Sequence, residues 1–95
     1  LSGAKTNKVS TVYIPSLLQH ITGGLQTVEA EGSSVRKIIN DLDERYPGIK
    51  DRLTDNNRIK PNISVAIDGV ISPLGMLSKV GADSEVHFLP AIGGG

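Results

Sequence analysis

The residues best placed to do chemistry stand at the end of the chain. Gly93-Gly94-Gly95 follow an apolar run, Val86-His87-Phe88-Leu89-Pro90-Ala91-Ile92. Glycine has no Cβ, so such a stalk can enter a narrow channel and take φ values closed to other residues. From Leu89 to Gly95 the backbone reaches up to about 20 Å when extended. That is far enough to enter another protein's active site. The terminal carboxylate of Gly95 is therefore the leading candidate for a reacting group, with Gly94 directly behind it. Were the native chain to stop one residue earlier, the reacting position would be Gly94.

The other candidates carry less. The chain has no cysteine, which excludes disulfides, thiolate nucleophiles and cysteine-based metal sites. His20 and His87 lie far apart with no third ligand at recognisable spacing, so no metal site is expected. Asp41, Asp43 and Glu44 share a helix with Arg36, Lys37 and Arg45 and read as a solvated, salt-bridged face rather than an acid/base pair. Gly23-Gly24 leads into a strand, whereas a phosphate loop needs a longer glycine pattern that opens a helix. No Ser-His-Asp set is present.

Ninety-five residues make one small domain. Ten basic and ten acidic residues cancel, so no net field draws nucleic acid or an anionic membrane. Tyr13, Tyr46 and Phe88 are the only aromatics besides histidine, too few for a base-stacking platform. No apolar run approaches the roughly 20 residues of a membrane span, and no signal-peptide pattern appears. A soluble cytoplasmic domain is expected.

The elements that must position the tail follow from periodicity. Residues 9–14 are rich in β-branched side chains and stop at Pro15, a first strand. A loop closes at Thr22-Gly23-Gly24, and residues 25–30 form a second strand. Gly32-Ser33-Ser34 opens the one strong helix, where either serine can accept from free backbone N–H groups. Val35, Ile38, Ile39, Leu42 and Tyr46 form its apolar stripe, and Pro47-Gly48 ends it. Ile49 and Leu53 fit one short helical turn. Residues 54–60 read as an exposed polar loop. Residues 62–67 alternate as a half-buried strand, Asp68-Gly69 marks a tight turn, and Val70-Ile71 a short strand after it. Leu74, Met76 and Leu77 are expected to cover the core edge. Residues 85–89 form the final strand.

The order is β-β-α-β-(β)-β, an α+β arrangement with one helix across a sheet of four to five strands. Val12, Ile14, Val28, Ile63, Val65, Ile67, Val86 and Phe88 supply the covered face and its edges. Residues 1–8 are polar and expected to be a disordered leader. Residues 9–95 form the domain, with 90–95 as a flexible tail.

This order, the late strand and the ending Leu89-Pro90-Ala91-Ile92-Gly93-Gly94-Gly95 resemble the ubiquitin-like sulfur carriers of the β-grasp fold, the ThiS/MoaD proteins. The opening strand with its loop, Ile14-Pro15-Ser16-Leu17-Leu18-Gln19-His20-Ile21-Thr22-Gly23-Gly24, and the helix followed by Pro47-Gly48-Ile49 are most similar to the cysteine-synthesis carrier branch. The resemblance spans residues 9–95. It implies a carrier acted on by enzymes rather than an enzyme. The Gly95 carboxylate would be adenylated by a ubiquitin-activating-type enzyme using ATP, then converted to a thiocarboxylate that donates sulfur. No cofactor would be bound by the carrier itself. Phe88, Leu89, Pro90, Ala91, Ile92 and Gly93 are the candidate partner contacts, and Leu17 and Leu18 join them if exposed. The implied partners are the adenylating enzyme, a sulfur-accepting enzyme such as a cysteine synthase, and a protease if the end is processed. Two readings stay beside this one. One is a ubiquitin-like modifier forming isopeptide bonds. The other is a β-grasp interaction module whose terminal glycines are not its own.

Overall fold

A computed structural model describes residues 9–90. The expected leader, 1–8, and the tail positions 91–95 lie outside the described residues. The elements are β1 (Val9–Tyr13), β2 (Thr27–Glu31), α1 (Val35–Arg45), α2 (Ile49–Leu53), β3 (Thr54–Asp55), β4 (Arg58–Ile59), β5 (Ile63–Ile67), β6 (Val70–Ile71) and β7 (Glu85–Pro90). Single 3₁₀ turns at Ser16–Leu18 and Gly75–Leu77 complete the set. Five strands form one sheet in the order β2-β1-β7-β5-β6. β7 runs parallel to β1 and antiparallel to β5. The final strand therefore lies in the middle of the sheet, and the chain leaves for its C-terminus from that centre.

Alternation decides which face is covered. Ser10, Val12 and Ile14, then Val28 and Ala30, then Val86 and Phe88 point inward and are buried. The stripe Val35, Ile38, Ile39 and Leu42 closes over them with essentially no exposed surface. Ile63 and Ile67 pack at the margin and are only partly buried. Of the three residues expected to seal the core edge, Met76 does so, whereas Leu74 and Leu77 stay exposed. The 3₁₀ turn points one side chain inward and leaves its neighbours out.

Helix α1 is set at both ends by local chemistry. The Ser34 hydroxyl accepts from the Lys37 amide at 3.3 Å, so the second of the two serines is the cap. Gly32 precedes it because a Cβ there would lie 2.7 Å from the Lys37 Cβ and 2.9 Å from the Ile38 nitrogen. Tyr46 sits outside the helix at φ −128° and ψ 75°, as the following proline requires. Gly48 then turns left-handed at φ 103° to open α2.

Two further expectations are corrected. The second strand begins at Thr27, not at residue 25. The Thr22 hydroxyl holds the Leu25 carbonyl at 2.9 Å within the preceding loop, and Leu25 faces solvent. Residues 54–60 are not a plain loop, because Thr54–Asp55 pairs with Arg58–Ile59 in a small hairpin. Its turn is Asn56-Asn57, both at positive φ, the geometry of a two-residue hairpin that asparagine tolerates. The turn at Asp68-Gly69 is as expected, with φ 53° and 86°. Among the described residues, no helix is long and apolar enough to cross a membrane.

Candidate functional site

The tail is aimed by β7. Thr11, Val12 and Tyr13 of β1 pair with Glu85, Val86 and His87. Beyond His87, β1 has turned away at Pro15, and β7 continues paired to β5 alone. Pro90 is the last described residue and stands opposite Ile63. A residue without an N–H is tolerated there because one side of the strand no longer has a partner. The strand thus runs one residue further than expected, and Pro90 belongs to the sheet rather than to the tail.

Strand alternation splits the expected contact residues. Phe88 is 2% exposed and its ring lies in the core opposite Val65. Its side chain is held within the core cluster and does not reach the surface, contrary to its expected place among the contact residues. Leu89 is 41% exposed, and Pro90 is exposed beside it. Ala91, Ile92, Gly93, Gly94 and Gly95 lie outside the described residues.

The first loop supplies a neighbour. Ser16–Leu18 turns once, with Leu18 in the core and Leu17 77% exposed. The loop is braced by its own bonds: the Gln19 side-chain Nε2 donates to the Ile14 carbonyl at 3.0 Å, and the Gly24 N–H to the Gln19 carbonyl at 2.7 Å. Leu17, Leu18, Pro15, Arg52, Lys60 and Pro90 then line a cavity of about 350 Å³ at the base of the tail. Sequence alone named both leucines without separating them. Arg52 and Lys60 carried no signal of their own, since only the fold brings α2 and the segment before β5 to the point where the tail leaves.

The remaining polar residues are occupied structurally. Asp41 accepts from the Glu31 amide at 2.9 Å and pairs with Arg45 at 3.0 Å. Arg45 also donates to the Glu29 carbonyl, tying the end of α1 to β2. Asp43 accepts from the amides of both Gly48 and Lys50 at 3.1 Å, which holds the link to α2. The expected salt-bridged face is thus also a clamp between helix and sheet. His87 lies on the open sheet face, its ring stacked on Tyr13 at 4.0 Å and 8°. His20 is exposed in the first loop. Among the described residues, no three His, Cys, Asp or Glu side chains cluster to hold a metal ion.

Comparison with known proteins agrees with this geometry. The ThiS family's sequence profile matches residues 12–95, including the terminal glycines. Sulfur carrier protein CysO of Mycobacterium tuberculosis is 34% identical over 90 residues, covering 90% of this chain and 97% of that protein. A chain in the crystal structure of the Amycolatopsis orientalis BexX/CysO complex superposes with a TM-score of 0.85 at 35% identity, covering 90% of this chain and 99% of its own. Small archaeal modifier protein 1 of Methanosarcina acetivorans, with a TM-score of 0.75 at 19% identity over 96% of this chain and 100% of its own, shares the ubiquitin-like β-grasp fold. With a profile match from the first strand to the last glycine, and a sheet that carries its C-terminus out from the centre, the chain belongs to the ThiS family of sulfur carrier proteins.

Proposed function

We propose that the carboxylate of Gly95 is the group on which this chain carries sulfur. A carboxylate is a poor electrophile, because its charge repels nucleophiles and it has no leaving group. An activating enzyme joins it to ATP, releasing pyrophosphate and leaving an acyl-adenylate. Hydrosulfide or an equivalent sulfur donor adds to the acyl carbon, and AMP departs. The product is a thiocarboxylate, whose sulfur is a soft nucleophile for an acceptor in a second enzyme's site. The carrier is a substrate of both enzymes and contributes reach, a backbone that threads, and a docking surface. It holds no cofactor of its own in this scheme; the ATP is the activating enzyme's.

The observation that supports this reading most is the run of the family match through residue 95. The architecture adds to it. A central strand fixes one end of the tail, and Leu17, Leu89 and Pro90 present apolar surface around its exit. The relative crystallised with BexX is a carrier held by a partner. For this chain the corresponding partners are an adenylating enzyme and a sulfur-accepting enzyme that makes cysteine or a related sulfur metabolite.

The test is intact-protein mass after incubation with the activating enzyme, ATP and hydrosulfide. The expected gain is that of one oxygen replaced by sulfur, lost when Gly94 and Gly95 are deleted. An unchanged mass with an enzyme proven active on another carrier overturns the reading. So does transfer that survives the deletion, or covalent adducts to lysine in place of a thiocarboxylate.

A further inference from the structure

A second surface stands apart from the tail. Of the seven exposed large apolar residues among those described, four fall in one short stretch: Val70, Ile71, Leu74 and Leu77, the last 72% exposed. The β6 edge and the 3₁₀ turn Gly75–Leu77 place three of them, Ile71, Leu74 and Leu77, along a groove of about 560 Å³. The groove's floor is Ile59, Ile63, Val65 and Met76. Its rim carries Arg36, Arg58 and Lys60, and no Asp or Glu lines it. Asp55 is the β3–β4 partner of Arg58, but the one ion pair of an Arg or Lys among the described residues is Arg45–Asp41, so none of the three rim cations is paired there.

A chain with a formal net charge of zero has therefore gathered three cations, without an ion pair among the described residues, around exposed leucines. Single exposed leucines need no explanation, but a contiguous apolar patch with a polar rim marks an interaction surface. The walls are open and themselves exposed, unlike a pocket that encloses most of a small ligand. Strand β6 offers only two residues of ladder, so side chains rather than strand addition must carry recognition. Lys60 and Ile63 line both this groove and the cavity at the tail's base. The groove and the cavity at Pro90 are therefore adjacent.

We infer that the groove between β6, the turn Gly75–Leu77 and the β3–β4 hairpin docks a protein segment that pairs leucine-like side chains with carboxylates. The apolar side chains lie against Leu74, Leu77 and Ile59, and the acids meet Arg36, Arg58 and Lys60. This site needs no thiocarboxylate, and its test stands whether or not the chain carries sulfur.

The probe is an acetylated, amidated peptide, Glu-Leu-Asp-Glu-Leu-Leu-Asp-Glu, titrated into the ¹⁵N-labelled full chain and followed by amide chemical shifts. Saturable shifts are expected at positions 58–65 and 71–77 and at Arg36, weakening as salt rises. The same peptide with lysine in place of every acid is expected to bind about tenfold more weakly or worse, and so is the acidic peptide against the doubly reversed R58E/K60E chain. Leu77→Ser, at a side chain that is mostly exposed, is expected to weaken binding while leaving the melting temperature in place. No saturable shift, an equal response to both peptides, or shifts centred on the open face around Tyr13 and His87 overturns the proposal. Two other occupants are visible in the same spectra. Concentration-dependent shifts at the groove without peptide point to a second copy of the chain, and groove shifts on deleting residues 91–95 point to its own tail. Either result overturns the assignment to a partner.

Discussion

Phe88 and Leu89 are neighbours in sequence and opposites in role, and a paired substitution tests that assignment. Phe88 is 2% exposed and packed in the core. Replacing it with alanine would cost about 3–5 kcal/mol, against a total stability of roughly 5–14 kcal/mol for a domain of this size. That change risks unfolding the chain, so Phe88→Leu is the better probe. Leucine keeps the site apolar but fills it less well, and the expected loss is about 1–1.5 kcal/mol. For a domain this small that lowers the melting temperature by roughly 4–12 °C. Leu89→Ser removes a side chain that is 41% exposed on the opposite face, with an expected stability change within about 0.5 kcal/mol. Urea or thermal melts measure the first effect. The second is read as the rate of thiocarboxylate formation at 25 °C, where both variants are folded. Phe88→Leu should melt earlier yet react at the wild-type rate, and Leu89→Ser should melt normally yet react more slowly. A Phe88→Leu chain that melts normally but reacts slowly would refute the reasoning, since the ring would then be acting on a partner and not in the core.

Four further outcomes follow from the geometry. Gly32→Ala should destabilise by about 1–3 kcal/mol in a urea melt, because the new Cβ meets the Lys37 Cβ at 2.7 Å and backbone at 2.9 Å. Ser34→Ala should cost about 1 kcal/mol by losing the bond from the Lys37 amide, seen as a lower denaturation midpoint at unchanged slope. Asp43→Ala leaves the Gly48 and Lys50 amides without their acceptor and should cost about 1–3 kcal/mol, with faster hydrogen exchange at α2 than at β7. Deleting Gly94 and Gly95 should abolish the mass gain of thiocarboxylation while leaving the melt unchanged.

The legible part of the fold is the part written in periodicity. The α1 stripe, the inward residues of β1, β5 and β7, and the Asp68-Gly69 turn all follow from spacing and local chemistry. What was missed turns on competition between a local pattern and a specific contact. Leu25 looks like the start of a strand, but Thr22 captures its carbonyl and delays the strand to Thr27. Residues 54–60 look too polar to pair, yet Asn56-Asn57 makes the tight turn that joins β3 to β4. The Leu74 and Met76 pair shows the same limit, since apolar character does not say which side of a single 3₁₀ turn faces the core. At the candidate site, the glycine ending and the apolar approach were visible, but the alternation of β7 puts Phe88 inside. Arg52 and Lys60 were invisible because they join the site only through the path of α2 and the chain before β5.

The position of β7 bears on why a carrier needs a docking surface at all. In the proposed reaction a partner must thread residues 91–95 into its active site. Fixing a backbone costs up to roughly 1–2 kcal/mol per residue, and glycine loses more than other residues. For five residues that is about 5–10 kcal/mol opposing the productive complex. Because Pro90 is held in the sheet against Ile63, the cost stops there and does not spread back into the strand. The deficit must be met by surface that is already rigid. Burying Leu17 and Leu89 with their neighbours supplies part of it, at about 25 cal/mol per Å² of apolar area. Some 200–400 Å² of such contact would offset the threading cost. The groove at Leu74 and Leu77, joined to the tail's base through Lys60 and Ile63, is adjoining apolar surface that adds to that contact. The two should then act together. Deleting Gly94 and Gly95 should abolish turnover without weakening groove binding, whereas removing the groove contacts should raise the carrier's KM at unchanged kcat.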